Sequence, residues 1–368
     1  MKRQHPFAVR PLLAALLCLA LAGCRIEIEV PTSGEVHTAS GSISCATGET
    51  CSLTVVDLFF DETFSAVAAE GFVFAGWERK DRSLCGGSAE PCHLATESFE
   101  GNEILMRILE DPQQVFYLDP VFQSEGFNSL FIGHSFFRPF AEGMPALAEQ
   151  AGIKRHEQAI VFSGGANGAP EALWNNASKR AEIQAVLDVG DIELFAMTYH
   201  PDYPTLTGYR NWIDYALERN PDTRIALALP WLTQPHTYES DEYEALWKDF
   251  NVSTFQAGAD RLRQLYPETE IFIIPYGQAA VELRKLLAAG ELPEVEVVTS
   301  RTQPAIFRDD LGHANQMLVD LGRLVWLRSI YGIDLDTIPA PEGYETDLNS
   351  LAQAIADEQD PRYDAPYR

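Results

Sequence analysis

Three well-separated stretches of the chain hold residue types suited to acyl chemistry. The run Phe127-Asn-Ser-Leu-Phe-Ile-Gly-His-Ser-Phe-Phe137 reads as a short buried strand ending at Gly133, then Ser135, then a helix beginning near Phe137. A hydroxyl at that point sits beside a helix N-terminus, where free N–H groups and the helix dipole favour negative charge. This suits a nucleophile whose target develops an oxyanion, and it equally suits a simple helix cap. Serine is a weak nucleophile near neutral pH and needs an adjacent base. Asp310-Leu-Gly-His313 supplies one: a carboxylate one turn from an imidazole can accept from Nδ1–H and leave Nε2 free. In Ser163-Gly-Gly-Ala-Asn-Gly168 the glycines permit a tight turn and close approach of backbone to a ligand.

The elements that must position these residues follow from hydrophobic periodicity. Apolar runs at Ser129–Ile132, Ala159–Phe162, Ile192–Thr198, Arg224–Leu229 and Glu270–Pro275 predict strands. Between them, Phe140–Ala151, Ser178–Leu187, Gly208–Arg219, Tyr243–Tyr266 and Ala279–Ala289 have helical periodicity, and Asn315–Tyr331 and Leu348–Ala356 add two more helices. Strands alternating with helices predict an α/β domain whose parallel sheet is covered on both faces. Sites in such sheets form outside the carboxyl ends of the strands. That rule selects Gly133-His-Ser135, Ser163-Gly-Gly165, Tyr199-His200, Pro230-Trp231 and the Asp309–His313 loop. Trp174, Tyr199 and Trp231 fall where aromatics either line a pocket or fill the core. His156 and His236 read as surface loop residues.

Everything before about residue 120 reads as delivery and tethering. Lys2, Arg3 and Arg10 precede an apolar run, Leu12–Leu21, that is too short to span a bilayer and suits a signal peptide over residues 1–23. The run ends in Leu21-Ala-Gly-Cys24, which resembles a bacterial lipobox and implies lipidation of Cys24. The implied location is exported and lipid-anchored, with Arg25 after the cysteine favouring the outer membrane. Four further cysteines, Cys45, Cys51, Cys85 and Cys92, are confined to one short segment of an exported chain and predict two disulfides. Proximity favours 45–51 and 85–92. Their spacings do not match a zinc knuckle. Residues 24–120 read as a small β-rich module with strands at Arg25–Val30, Ser52–Val56 and Gly71–Trp77, and Tyr117–Gly126 reads as the connector to the larger domain. Acidic residues outnumber basic ones 54 to 27, so the surface repels phosphate backbones and nucleic acid is excluded as a partner. Hydrophobic residues make up 46% of 368, enough for a sizeable core.

Taken together, the Gly133-His-Ser135 block, a glycine block at Gly165, a strand ending at His200, and the closing Asp310-x-x-His313 resemble the SGNH (GDSL-like) hydrolase superfamily over roughly Phe127 to Ile338. The resemblance implies a three-layer α/β/α, flavodoxin-like domain at 125–340, followed by a C-terminal helix and tail at 341–368. It implies a Ser135–His313–Asp310 triad, with Gly165 and His200 as oxyanion donors and no metal or cofactor. His200 stands where the superfamily has asparagine, and a histidine N–H donates only in the right tautomer. The implied activity is hydrolysis of acetyl or short-acyl esters, on a small molecule or a polysaccharide outside the cytoplasm. An O-acyltransferase using the same triad, or a non-catalytic carbohydrate-binding or adhesion lipoprotein, are the alternatives. The N-terminal cysteines and Gly71-Phe-Val-Phe-Ala-Gly-Trp77 loosely resemble internalin-type B repeats, which implies a spacer.

Overall fold

The structure is a computed structural model that describes residues 23–69 and 71–365. The signal-peptide reading, with Lys2, Arg3 and the Leu12–Leu21 run, lies outside the described residues. Among the described residues no helix is long and apolar enough to cross a membrane.

Two hydrophobic cores organise the chain. The smaller is built by Ile26, Ile28, Val36, Phe64, Trp77 and their neighbours. Strand Cys24–Glu29 pairs antiparallel with Thr50–Val55 and parallel with Val115–Tyr117. A second sheet runs in the order Ser44–Cys45, Gly34–Thr38, Asp61–Ala68, Cys92–Ala95. Disulfides join Cys45 to Cys51 and Cys85 to Cys92, the pairing that proximity favoured. The expected connector at Tyr117–Gly126 is not a plain linker. Its Pro120–Ser124 is a strand that pairs back onto Phe72–Trp77. Pro120 is the first residue of that strand, where a missing N–H is tolerated. A helix, Glu103–Glu110, also interrupts the β-rich stretch; the Asn102 side chain caps it and Leu109 anchors it.

The larger core begins at Phe127. Its centre is an all-parallel sheet of β1 (Asn128–Gly133), β2 (Glu157–Phe162), β3 (Leu194–Thr198), β4 (Arg224–Ala228) and β5 (Ile271–Ile274), in the order β2-β1-β3-β4-β5. These strands fall within two residues of the apolar runs that predicted them. Every residue of β3 is buried, as in a strand covered on both faces, and this is why it reads as an unbroken apolar run.

Helices follow the strands: α1 (Arg138–Gln150) after β1, α2 (Pro170–Asn175) and α3 (Ala177–Leu187) after β2, and α4 (Thr207–Leu217) after β3. Next come α5 (Ser240–Phe250) and α6 (Ala257–Leu265) after β4, α7 (Gln278–Ala289) after β5, then α8 (Gln316–Tyr331) and α9 (Leu348–Asp357). Helix α8 packs on α1, α7 and α9, while α2 packs on α3 and α4. Leu348, Ala352, Ile355, Tyr363 and Ala365 are buried in the same core, so the C-terminal helix and the segment after it are part of this body.

The single helix expected over Tyr243–Tyr266 is divided by a π-helical segment, Asn251–Gln256. Its wider turn brings Phe255 into the core, 6.1 Å from the Tyr199 ring. Helix α1 tolerates an internal proline by a similar local repair. Pro145 cannot donate to the Ala141 carbonyl one turn back, and the Gln158 side-chain amide on β2 donates to it instead, at 3.0 Å. After α7, β6 (Val297–Thr299) and β7 (Ala305–Phe307) form a short parallel pair. The chain leaves β7 through the loop that ends at His313.

Candidate active site

Ser135 lies in the turn between β1 and α1. It is not the helix cap. Phe137 takes that position, and the His134 carbonyl accepts from the N–H groups of Phe137 and Arg138 at 3.0 Å each. The Ser135 Oγ instead meets Nε2 of His313 at 2.9 Å. The turn fits only without a side chain at its first residue: a Cβ on Gly133 would lie 2.7 Å from the Phe137 ring and 2.8 Å from Thr198 Cγ2. From beneath, the Tyr276 hydroxyl donates to the Phe136 carbonyl at 3.1 Å, and the Phe136 ring stacks on Trp231 with centroids 5.0 Å apart. Phe136 also meets the edge of the His313 imidazole at 5.1 Å. Serine and base therefore rest on a shared aromatic floor.

The acidic partner corrects the expectation. His313 Nδ1 faces the carboxylate of Asp309, at 2.8 Å to Oδ2 and 3.1 Å to Oδ1, and not that of Asp310. The reason is a turn. Residues 309–312 form a β-turn closed by the Gly312 N–H on the Asp309 carbonyl at 3.0 Å, with Gly312 at φ +101°. The N–H groups of Gly312 and His313 both donate to Asp309 Oδ1 at 3.1 Å, which folds that carboxylate under the imidazole. Asp310 takes the next corner and is exposed. The sequence did hold a signal for this, because Asp at the first position and Gly at the fourth is a favoured β-turn pattern. Burial alone would raise the Asp309 pKa; the two N–H bonds and the His313 ring outweigh it and hold the carboxyl below its ordinary value.

Trp231 locks this loop from the core: its indole N–H donates to the Gly312 carbonyl at 2.8 Å. Trp231 and Tyr199 are buried, and Trp174 packs edge-on against Trp212, so these three aromatics serve packing and positioning. His156 is not a loose surface residue. It is half-buried, with Nδ1 against the Tyr331 hydroxyl and Nε2 against Gln158.

An open recess of about 310 Å³ adjoins Ser135 and His313, and Pro139, Arg308, Asn315 and Arg323 help to line it. Sequence reasoning missed both arginines, because neither belongs to a motif. The 163–168 loop, which does not line that recess, packs on the turn. The Ser163 N–H donates to the Gly133 carbonyl at 3.1 Å, and a Cβ on Gly168 would lie 2.5 Å from that same oxygen. Gly165 adopts φ +52°, and nothing lies within 4 Å of where its Cβ would stand. Cys45, Glu49 and Cys51 form the one group of potential metal ligands close enough together among the described residues, and its two sulfurs are bonded to each other.

Neither a protein-family model nor a curated protein matches the chain. Solved structures do resemble it in part. A DUF4886 family protein from Bacteroides uniformis is 17% identical, with a TM-score of 0.43 over 63% of this chain and 93% of its own. A protein from Parabacteroides merdae, named as a GDSL-like lipase, is 16% identical, with a TM-score of 0.34 over 54% of this chain and 93% of its own. The periplasmic domain of a lipopolysaccharide acetyltransferase from Salmonella ser. Paratyphi A is 16% identical, with a TM-score of 0.28 over 43% and 69%. The chemistry of the site rests on its own geometry.

Two further histidines, His134 and His200, pack together next to the Ser135 turn. His134 is buried; its Nε2–H donates to the Tyr199 carbonyl at 2.8 Å, and its Nδ1 accepts from the Phe136 N–H at 3.2 Å. Its ring meets that of His200 edge-on at 5.3 Å. His200 Nδ1 accepts from the Asp202 N–H at 3.2 Å, which requires the neutral ring to carry its proton on Nε2. Burial lowers the pKa of His200, and the nearby Asp202 only partly offsets this.

Burial also pushes His134 down to about 4, against the Tyr199 carbonyl, which favours the charged form. The sign follows directly. The unfolded chain takes up this proton near pH 6.5 and the folded chain only near pH 4, so stability falls as pH falls through that window. For His134 alone the loss is roughly 3 kcal/mol between pH 7 and 4. Urea unfolding across this range is expected to show a flatter pH dependence for His134→Asn than for the wild type. Parallel curves for the two proteins would count against the assignment.

Proposed function

We propose that this chain is a serine esterase of the SGNH type, acting on short acyl esters of carbohydrate outside the cytoplasm. One observation carries the reading: Asp309, His313 and Ser135 form a continuous hydrogen-bonded line that ends on a serine free of any capping role. The strand order β2-β1-β3-β4-β5 with helices between the strands supports a flavodoxin-like three-layer domain.

In the proposed reaction His313 Nε2 takes the Ser135 proton as Oγ attacks the ester carbonyl carbon. Asp309 holds the imidazole in the needed tautomer and stabilises its charged form. Collapse of the tetrahedral intermediate breaks the bond to the alcohol oxygen, which receives the proton from His313. Water, deprotonated by the same nitrogen, then attacks the acyl-enzyme; the acid leaves and the serine regains its proton. The backbone N–H groups of Ser135 and Gly165 and the His200 Nε2–H supply the oxyanion donors in this reading. The Asp202 contact supports that last role, because it leaves the donor on the nitrogen not already engaged.

Two disulfides support an oxidising location, and the small module serves as a spacer between a lipid on Cys24 and the catalytic body. Cys24 is buried at the start of its strand, 4.0 Å from the Val55 carbonyl, so acylation of its sulfur requires that end of the strand to detach.

A fluorophosphonate probe tests the reading. Intact mass is expected to rise by one phosphonyl group, peptide mapping to place it on Ser135, and His313→Ala to suppress it. Labelling elsewhere, or none, would sink the proposal. Acetyl transfer from 4-nitrophenyl acetate to added sugar alcohols, measured beside acetate release, separates hydrolase from acyltransferase.

A further inference from the structure

The recess next to Ser135 is cationic in a protein whose acidic residues outnumber its basic ones 54 to 27. Arg308 makes no ion pair and no side-chain hydrogen bond among the described residues, although it lies next to Asp309. Its place is fixed through the backbone: the Arg308 N–H donates to the His313 carbonyl at 2.8 Å, so base and arginine occupy facing positions of one loop.

Arg323 is held differently. Its Nε and Nη2 donate to the Pro139 carbonyl at 3.1 and 2.9 Å, and its Nη1 lies 3.4 Å from Asp320. Helix α1 makes room for it with a glycine, since a Cβ on Gly143 would stand 2.0 Å from Arg323 Nε. Of the nearby carboxylates, Asp309 is engaged by His313 and Asp320 by Arg323, Gln316 and Tyr344, while the exposed Asp310 does not line the recess. Arg308 thus lines the recess with Ser135 and His313 and has no ion pair among the described residues.

We infer that this recess is a subsite for an anionic group, a carboxylate or a phosphate, carried on the alcohol portion of the ester, with Arg308 as its principal contact and Arg323 as fixed positive charge behind it. The side follows from the lining. The recess is bounded by His313, which returns the proton to the leaving alcohol, and not by Gly165 or His200. Arg308 is a specificity residue in this assignment, and the orientation rests on the esterase reading above. The substrate class narrows to O-acylated acidic sugars or their phosphorylated counterparts.

The test compares kcat/KM on 4-acetoxybenzoate, 4-acetoxyphenyl phosphate and the neutral 4-acetoxybenzamide. The wild type is expected to favour an anionic ester, and Arg308→Ala to reduce the anionic-to-neutral ratio by about 10- to 100-fold, the worth of a charge-assisted hydrogen bond. Damage to the neighbouring triad would lower all three rates together and leave the ratio unmoved. Arg308→Lys should retain part of the preference, and salt should erode it. Which anion is preferred separates carboxylate from phosphate. A binding arm keeps the inference distinct from the esterase reading: Ser135→Ala protein is titrated with the non-reacting amides 4-acetamidobenzoate and 4-acetamidobenzamide. Tighter binding of the carboxylate, lost when Arg308→Ala is added, supports the subsite even if no ester is turned over. Equal binding of the two amides, or a ratio unchanged by Arg308→Ala, overturns it.

Discussion

Ser135→Ala is expected to lower kcat on 4-nitrophenyl acetate by about 10⁴-fold or more, down to the background of the folded protein. The size follows from the chemistry. Without Oγ no acyl-enzyme forms, and the remaining rate comes only from water reaching a substrate held near whatever oxyanion donors are present. The fold should survive the change. Ser135 Oγ caps no helix, and among the described residues its side-chain hydrogen bond is to His313. Unfolding midpoints for variant and wild type should therefore agree to within about 1 kcal/mol, the scale of a single partly exposed hydrogen bond. Equal esterase rates for both proteins would remove the serine from the mechanism.

The second large effect separates two adjacent aspartates. Asp309→Asn is expected to cost about 10³- to 10⁴-fold in kcat, because an amide cannot stabilise the imidazolium and also allows the wrong tautomer. Asp310→Asn is expected to change kcat by less than about 3-fold, since its carboxylate is exposed and no hydrogen bond joins it to His313. Asp309 also accepts the N–H groups of Gly312 and His313, so Asp309→Asn tests the loop as well as the charge. The asparagine side-chain oxygen can keep those two bonds. A kcat loss with KM and stability nearly unchanged would mark electrostatic and tautomeric control, whereas a parallel loss of stability would mark collapse of the loop. The reverse ranking, with Asp310→Asn the damaging change, would show that the loop rearranges when substrate binds.

Much of the architecture was legible because its causes are local. Buried parallel strands must be apolar along their whole length, and the runs at Ser129–Ile132 and Ile192–Thr198 announce themselves on that ground alone. Close spacing of four cysteines was enough to favour the pairing that forms. Ser135 and His313 were legible only as candidates, because a serine at a strand–glycine–helix turn suits a cap as well as a nucleophile; their 2.9 Å contact belongs to the tertiary structure.

The rest depended on contacts that no window of sequence contains. The choice between Asp309 and Asp310 turned on the β-turn that Gly312 closes at positive φ, held by the Trp231 indole from after a different strand. The breaking of the Tyr243–Tyr266 helix required Phe255 to find the core beside Tyr199. The strand at Pro120–Ser124 reads as a connector until Phe72–Trp77 offers it an edge to pair with. Arg308 and Arg323 carry no motif, and only the folding of β7, the His313 loop and α8 around Pro139 brings both arginines to the recess that Ser135 lines. Sequence by itself determined which residues could do chemistry and on which elements they ride, because strand burial and turn chemistry are local. The tertiary structure alone decided which carboxylate meets His313 and which side chains line the recess beside Ser135, because those outcomes depend on long-range packing.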